Sequence, residues 1–116
     1  MVAGTMSEAS EVLIVYCTVP DVETGERIAR HLVEYGLAAC VNIVAGVTSI
    51  YRWQGRVESD SEALMVIKAP AQAYRRLESA ICSQHPYELP EIIAVPVSDG
   101  LAGYLNWIAT NHNEAP

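Results

Sequence analysis

The sequence has no phenylalanine. It is also poor in positive charge, and Lys68 is its only lysine. Seven basic residues stand against 14 acidic ones, which gives a formal net charge of -7. Proteins that bind nucleic acid use clustered positive charge to displace counterions, so this composition argues against a nucleic-acid partner. No stretch approaches the roughly 20 apolar residues of a membrane-spanning helix, and we expect no membrane partner either.

Paired cysteines and an export signal are also missing. The three cysteines, Cys17, Cys40 and Cys82, are odd in number and form no CxxC pair. The N-terminal residues have neither a basic start nor an apolar run of the length of a secretory signal. Free thiols in a chain without export features are typical of a reducing compartment, so we predict a cytoplasmic protein.

The chain of 116 residues predicts one domain. Residues 1–11 are small and polar, and we expect them to be disordered, with a single domain over 12–112. The tail after residue 110 is polar and is expected to fray. The predicted elements are, in order, a buried strand at 12–18, a helix at 21–36, two hairpin arms at 37–53 and 56–69, a helix at about 71–84, an edge strand at 92–97 and a helix after residue 100.

Local signals support these boundaries. Asp21 or Thr18 is a candidate N-cap of the first helix, and Gly36 is a C-terminal stop. Pro96 places the last strand at an edge of the sheet, because proline cannot donate to a central ladder. The element order is the split βαβ arrangement. We therefore predict an α+β fold, a ferredoxin-like βαββαβ protomer with a long central β-hairpin and an additional C-terminal helix.

The predicted hairpin is too long for a monomer of this size. Arms of about 14 residues span roughly 46 Å, whereas a globule of this length is roughly 35 Å across. Unless the hairpin bends back at Gly46, its tip should overhang the sheet and carry Tyr51 and Trp53 into solvent. An unpaired ribbon favours pairing with another chain, so we predict a closed homo-oligomer.

Six stretches occur together and in this order: YCTVPD (16–21), GLAACVNI (36–43), SIYRWQG (49–55), EALMVIK (62–68), HPYELPEI (85–92) and YLNW (104–107). On these stretches the sequence resembles the CutA family, the divalent-ion tolerance proteins, over about residues 12–108. The resemblance implies a ferredoxin-like protomer in a homotrimer similar to that of PII signalling proteins, with a cytoplasmic role in tolerance to divalent metals, chiefly copper.

Copper favours soft thiolate and imidazole ligands, which makes Cys17, Cys40 and His85 the candidate metal ligands. Each has an alternative explanation. Cys17 and Cys40 are also typical of small residues in an apolar core. His85 precedes Pro86, so it is equally typical of a helix stop whose ring bonds to a backbone carbonyl. Cys82 is expected on the outer face of the second helix.

The segment SQHPYELPEI, residues 83–92, is the second candidate site. Tyr87, Glu88 and Glu91 lie in it, and with Trp53 and Lys68 they would line a cleft for a small ligand or partner. Lys68 could also pair with Glu91 or Glu62, or hold an anionic ligand. The segment lacks the HxH and HExxH patterns of metal enzymes, and no nucleophile elbow is present, so we predict no catalytic residue.

Two functions follow as hypotheses. The first is a trimeric, cytoplasmic, non-enzymatic protein of divalent-metal tolerance that binds copper or a similar ion, with no obligatory cofactor. The alternative is a PII-like signalling or scaffold trimer that binds a small organic ligand or a protein in clefts between subunits.

Overall fold

The computed structural model describes residues 11–110. The disorder predicted for the N-terminal segment and the fraying predicted for the tail lie outside the described residues, apart from residue 11. The single domain predicted for 12–112 also ends beyond this range and stays a prediction. The elements are β1 (Val12–Val19), α1 (Val22–Glu34), β2 (Cys40–Trp53), β3 (Arg56–Pro70), α2 (Tyr74–Gln84), β4 (Ile92–Pro96) and α3 (Ala102–Thr110).

The four strands form one sheet in the order β2-β3-β1-β4, and all neighbouring strands are antiparallel. With α1 between β1 and β2, and α2 between β3 and β4, this is the predicted ferredoxin-like α+β arrangement. β4 is an edge strand, as Pro96 indicated. The chain therefore brings the end of β1 (Val19, opposite Ala63 of β3) together with the loop that precedes β4.

The first helix begins and ends where its residues predicted. The side chain of Asp21 accepts a hydrogen bond of 2.7 Å from the backbone N–H of Thr24, so Asp21 is the N-cap. Gly36 follows the helix with a φ of 68°, a left-handed conformation that glycine adopts without steric cost.

The central hairpin extends well beyond the rest of the sheet. Its turn has positive φ at both Gln54 (51°) and Gly55 (79°), the geometry of a two-residue type I′ turn. A bulge between Val44 and Val47 distorts β2, but pairing with β3 continues to Trp53. β1 ends opposite Ala63, so the part of the hairpin from Val47 to Glu62 is a two-stranded ribbon, which we call the outer hairpin. The molecule measures 51 × 32 × 22 Å. The predicted overhang is confirmed.

Helices cover the two faces of the sheet unequally. α1 and α2 pack on one face, where Ile28, Leu32, Leu77 and Ile81 join the core. α3 covers only one end of the opposite face, where Leu105 and Ile108 pack with residues such as Val12 and Ala39. No helix among residues 11–110 is both long and apolar enough to cross a membrane.

Much of the face that α3 leaves open is apolar. Val44, Ile93 and Val95 on it are 46%, 56% and 41% exposed. We call this surface the open sheet face. By strand register its apolar residues are Ile14, Tyr16, Val44, Leu64, Val66, Ile93 and Val95, and the paired polar side chains Asn42 and Lys68 lie on the same face. A contiguous apolar surface of this kind marks a contact with another molecule more often than a surface left in water.

Candidate functional site

A cavity of about 610 Å³ lies between the outer hairpin and the loop that joins α2 to β4. We call it the cleft. The end of β1 contributes its floor, the hairpin one wall and the loop the other wall. Its lining residues are Thr18, Tyr51, Trp53, Asp60, Glu62, Pro86, Tyr87, Glu88, Leu89, Pro90 and Glu91.

The loop wall is stiff because of how α2 ends. The N–H of His85 still bonds to the carbonyl of Ile81 at 2.8 Å, but its own backbone is extended (φ -76°, ψ 135°). A residue before proline avoids the helical region, so Pro86 ends the helix at this point. Pro90 restrains the far end of the same loop.

The ring of His85 fastens this loop to β1. It is 8% exposed, and its Nε2 lies 2.7 Å from the carbonyl oxygen of Thr18. A carbonyl only accepts, so Nε2 carries the hydrogen and donates it. Nδ1 then accepts a bond of 3.1 Å from the N–H of Tyr87. Both ring nitrogens have backbone partners, and neither is free for a metal ion.

Hydroxyl groups hold three carboxylates of the cleft in place. The phenol of Tyr87 donates to Glu62 Oε2 at 2.6 Å, and this carboxylate is nearly buried, since Glu62 is only 9% exposed. The phenol of Tyr51 donates to Asp60. Thr18 Oγ1 donates a longer bond of 3.5 Å to Glu91 Oε1. Each of these bonds uses one oxygen of its carboxylate, and a carboxylate can accept at both.

Burial and the neighbouring carboxylates both raise the pKa values of the two phenols in the cleft. The hydrogen bond to Asp60 is the main cause that raises the pKa of Tyr51 to about 12, and the charges of Asp60 and Glu62 act in the same direction. Burial, followed by the bond to Glu62, raises the pKa of Tyr87. Both phenols therefore stay neutral donors at physiological pH.

Four of the five predicted cleft residues come together as expected. Trp53, Tyr87, Glu88 and Glu91 line one cavity. Lys68 does not line the cavity. It lies near the end of β3 that is remote from the cleft, where its ammonium group donates to Asn42 of β2. Six positions separate Lys68 from Glu62, or roughly 20 Å of strand, so the predicted pairing with Glu62 is wrong.

The sequence interpretation did not assign Thr18, Tyr51, Asp60 or Glu62 to the cleft. A signal for the last three was present in the alternation of the hairpin. Tyr51 pairs with Glu58, two positions from Asp60 and on the same face as Asp60 and Glu62. Placing these three residues in the cleft would have required the pairing register of the two hairpin arms, which composition does not give.

The predicted metal ligands do not meet within one protomer. Cys17 pairs with Met65 and Cys40 pairs with Lys68, three positions apart on β3, so the two thiols lie on opposite faces of the sheet. Cys17 is fully buried, and burial is the main cause that raises its pKa to about 12, which keeps it a thiol. Cys82 is exposed on α2, as expected.

No three His, Cys, Asp or Glu side chains in residues 11–110 lie close enough together to hold a metal ion. The donors of a single protomer, as arranged here, therefore do not fit a resident metal. Any tight metal site would need a donor from a second chain or a rearrangement of these residues.

Replacing Tyr87 by phenylalanine should destabilise the fold by roughly 1 to 3 kcal/mol, because the buried carboxylate of Glu62 would lose its hydroxyl donor. The raised pKa of Tyr87 means that the folded chain retains the phenol proton more strongly than the unfolded chain. That contribution is complete below about pH 10 and is lost as the pH rises further. Urea unfolding at fixed protein concentration, at pH 7 and above pH 10, measures both effects.

The matched control is Tyr35→Phe, since Tyr35 is 57% exposed at the end of α1. It should change the unfolding free energy by only a few tenths of a kcal/mol. Equal losses in the two variants would show that the bond to Glu62 contributes nothing specific.

Comparison with known proteins agrees with the sequence motifs. A sequence model described as "CutA1 divalent ion tolerance protein" matches residues 13–111. The "Divalent-cation tolerance protein CutA" of Thermus thermophilus is 48% identical over 98 residues, which cover 84% of this chain and 95% of that protein. The "Protein CutA, chloroplastic" of Arabidopsis thaliana is 42% identical over 106 residues, 89% of this chain but 58% of the longer relative.

Solved structures give the same result. The divalent cation tolerance protein of Thermus thermophilus superposes with a TM-score of 0.84 at 47% identity, over 86% of this chain and 97% of that one. The structure described as "PII-like protein CutA" from Nostoc sp. PCC 7120 superposes with a TM-score of 0.80 at 40% identity, over 86% and 96% of the two chains. The chain belongs to the CutA1 family of divalent ion tolerance proteins.

Proposed function

We propose that the protein is a non-enzymatic homotrimer of divalent-metal tolerance that binds copper or a similar ion with donors from more than one subunit. This proposal rests on a difference between the description of the family and the metal donors that one protomer offers. The family is described by divalent ion tolerance, yet no three donors converge within residues 11–110. A site completed across a subunit contact reconciles the two.

Two surfaces support the homotrimer. The open sheet face leaves three large apolar side chains more than 40% exposed, and a second chain would cover them. Within residues 11–110, no third strand pairs with the two-stranded outer hairpin beyond Ala63. An isolated ribbon is marginally stable in water, and a neighbouring subunit would support it. Closed cyclic symmetry satisfies every such surface without leaving one for aggregation.

Copper remains the preferred ion because the soft donors are the thiols and the imidazole. The predicted ligands are Cys17, Cys40 and His85. A site that used His85 would have to break one of its two backbone bonds, and a site that used Cys17 would have to expose a thiol that is fully buried in the core. The carboxylates of the cleft and the net charge of -7 would raise the local concentration of any cation.

We also propose that the protein is cytoplasmic and has no catalytic residue. Support for the compartment comes from Cys17, Cys40 and Cys82, which are all free thiols. Relatives carry names from other compartments: one of Arabidopsis is called chloroplastic, and one of Archaeoglobus fulgidus is called periplasmic.

Calorimetric titration of the native assembly with Cu(I), Cu(II) and Zn(II) tests metal binding. We expect saturable binding of copper, with at least about tenfold weaker affinity in Cys17→Ala or Cys40→Ala. Cys82→Ala is the matched control, since that thiol is exposed on α2, and it should bind as the native protein does. Equal affinities in all variants would contradict a thiol-containing site.

A second candidate function is favoured by the cleft itself. A cavity of about 610 Å³, with aromatic walls and fixed polar groups, is of the size and composition that small-molecule sites have. In this alternative the protein is a signalling or scaffold trimer, similar to PII proteins, whose clefts bind a small organic ligand or a protein partner.

A further inference from the structure

The geometry points to an aliphatic polyamine as the ligand class of the cleft, in preference to a bare metal ion or an anionic metabolite. This inference rests on the second candidate function, a ligand-binding cleft, and does not depend on copper binding. Four features of the cleft, as residues 11–110 form it, support it: carboxylates without an ion-pair partner, the absence of three acids that converge on one point, aromatic walls and carboxylates already held in position.

The negative charge of the cleft has no cationic partner within the part of the chain that the structure describes. Asp60, Glu62, Glu88 and Glu91 all line it. The ion pairs found between residues 11 and 110 lie elsewhere, on the outer surfaces of α1 (Arg30–Glu26) and α2 (Arg75–Glu78). Four carboxylates around one concave surface attract cations and repel phosphates and nucleotides.

The arrangement of the carboxylates favours an organic cation over a metal ion. A metal ion needs several ligands at about 2 to 2.6 Å from one point, and no three of these acids converge on a point. The cavity, at about 610 Å³, is also far larger than a single metal ion needs. Charges distributed along a flexible chain, as in a polyamine, match carboxylates distributed along a groove.

Aromatic rings supply the surfaces that the rest of such a ligand needs. Tyr51, Trp53 and Tyr87 line the cleft and are 41%, 42% and 36% exposed. An ammonium group near the face of a tryptophan or tyrosine is attracted by the ring quadrupole. The methylene segments between the ammonium groups would cover the same rings and remove apolar surface from water.

The carboxylates are positioned before any ligand arrives. Tyr51 donates to Asp60, Tyr87 to Glu62 and Thr18 to Glu91, in each case to one carboxylate oxygen. The raised pKa values of both phenols show that they keep the protons they donate. Because the side chains are already ordered, a cation would bind without the full entropic cost of fixing them.

The test is calorimetric titration of the full chain, in its native assembly and in the presence of a metal chelator, with spermidine as the probe. We expect saturable binding of one molecule per cleft. Asp60→Asn should weaken it about tenfold or more, because the amide can still accept from Tyr51 but no longer attracts an ammonium group. Trp53→Leu, which keeps an apolar side chain but removes the ring, should weaken it severalfold.

The matched control is Glu23→Gln, which removes one negative charge from the exposed first turn of α1, outside the cleft. It should bind spermidine within about twofold of the native protein, since binding that reflects only net charge would fall equally in both variants. Equal weakening in Asp60→Asn and Glu23→Gln, absence of saturation, or tighter binding of ATP than of spermidine would each overturn the assignment. The chelator keeps this result separate from copper binding, which can succeed or fail independently.

Discussion

Arginine in place of Val44 should dissociate the assembly into single chains. Val44 lies on the open sheet face and is 46% exposed in the protomer. If that face is buried between subunits, each copy would bury an unpaired guanidinium against apolar side chains, at a cost of several kcal/mol. Cyclic symmetry repeats the cost at every contact. Light scattering should then give a mass near the 12.6 kDa of one chain.

Val33→Arg is the control for this variant. Val33 lies near the end of α1, beside Val41 and Ile43 of β2, and its side chain is 44% exposed. The two valines thus have nearly equal exposure and receive the same charge, and Val33→Arg should keep the native mass. An unchanged mass for Val44→Arg, or dissociation of both variants, would show that the open sheet face is not the subunit contact.

Loss of the His85 ring should destabilise the protein even when no metal is present. His85→Ala would leave the carbonyl of Thr18 and the N–H of Tyr87 without their partners and would open a cavity at a site that is 8% exposed. We expect a loss on the order of 3 kcal/mol of unfolding free energy. Urea unfolding in a chelating buffer, at one protein concentration for all variants, measures it.

His31→Ala provides the comparison, because His31 is only half-buried on α1 and its ring contacts Tyr35. Its loss should be well under half of that in His85→Ala. A different pattern would assign His85 to a metal site: unchanged stability in chelator together with loss of the stabilisation that copper confers on the native protein. The two roles of His85 are therefore separable by one pair of unfolding curves.

Much of the fold was predictable because its signals are local. A β-branched apolar run predicted β1, Asp21 and Gly36 predicted the ends of α1, and Gln54-Gly55 predicted the hairpin turn. The overhang of the hairpin needed only a count of residues and the rise per residue of a strand. Each of these inferences depends on neighbours within a few positions of the chain.

The candidate site was only partly predictable because its contacts are not local. Tyr87 and Glu62 are 25 positions apart in sequence, and their bond depends on how the loop after α2 lies against β3. Lys68 shares a face with Glu62 by alternation, yet distance along the strand separates them. The same limit applies to Cys17 and Cys40, since their faces follow from strand register and not from residue type.

Placing a copper ion in a crystal of the native assembly tests the proposed function most directly. After a soak with a copper salt, anomalous scattering locates the ion without any assumption about its ligands. We predict a peak whose donors come from at least two subunits. A peak on donors of a single subunit, or no ordered copper at all, would contradict a metal site shared between chains.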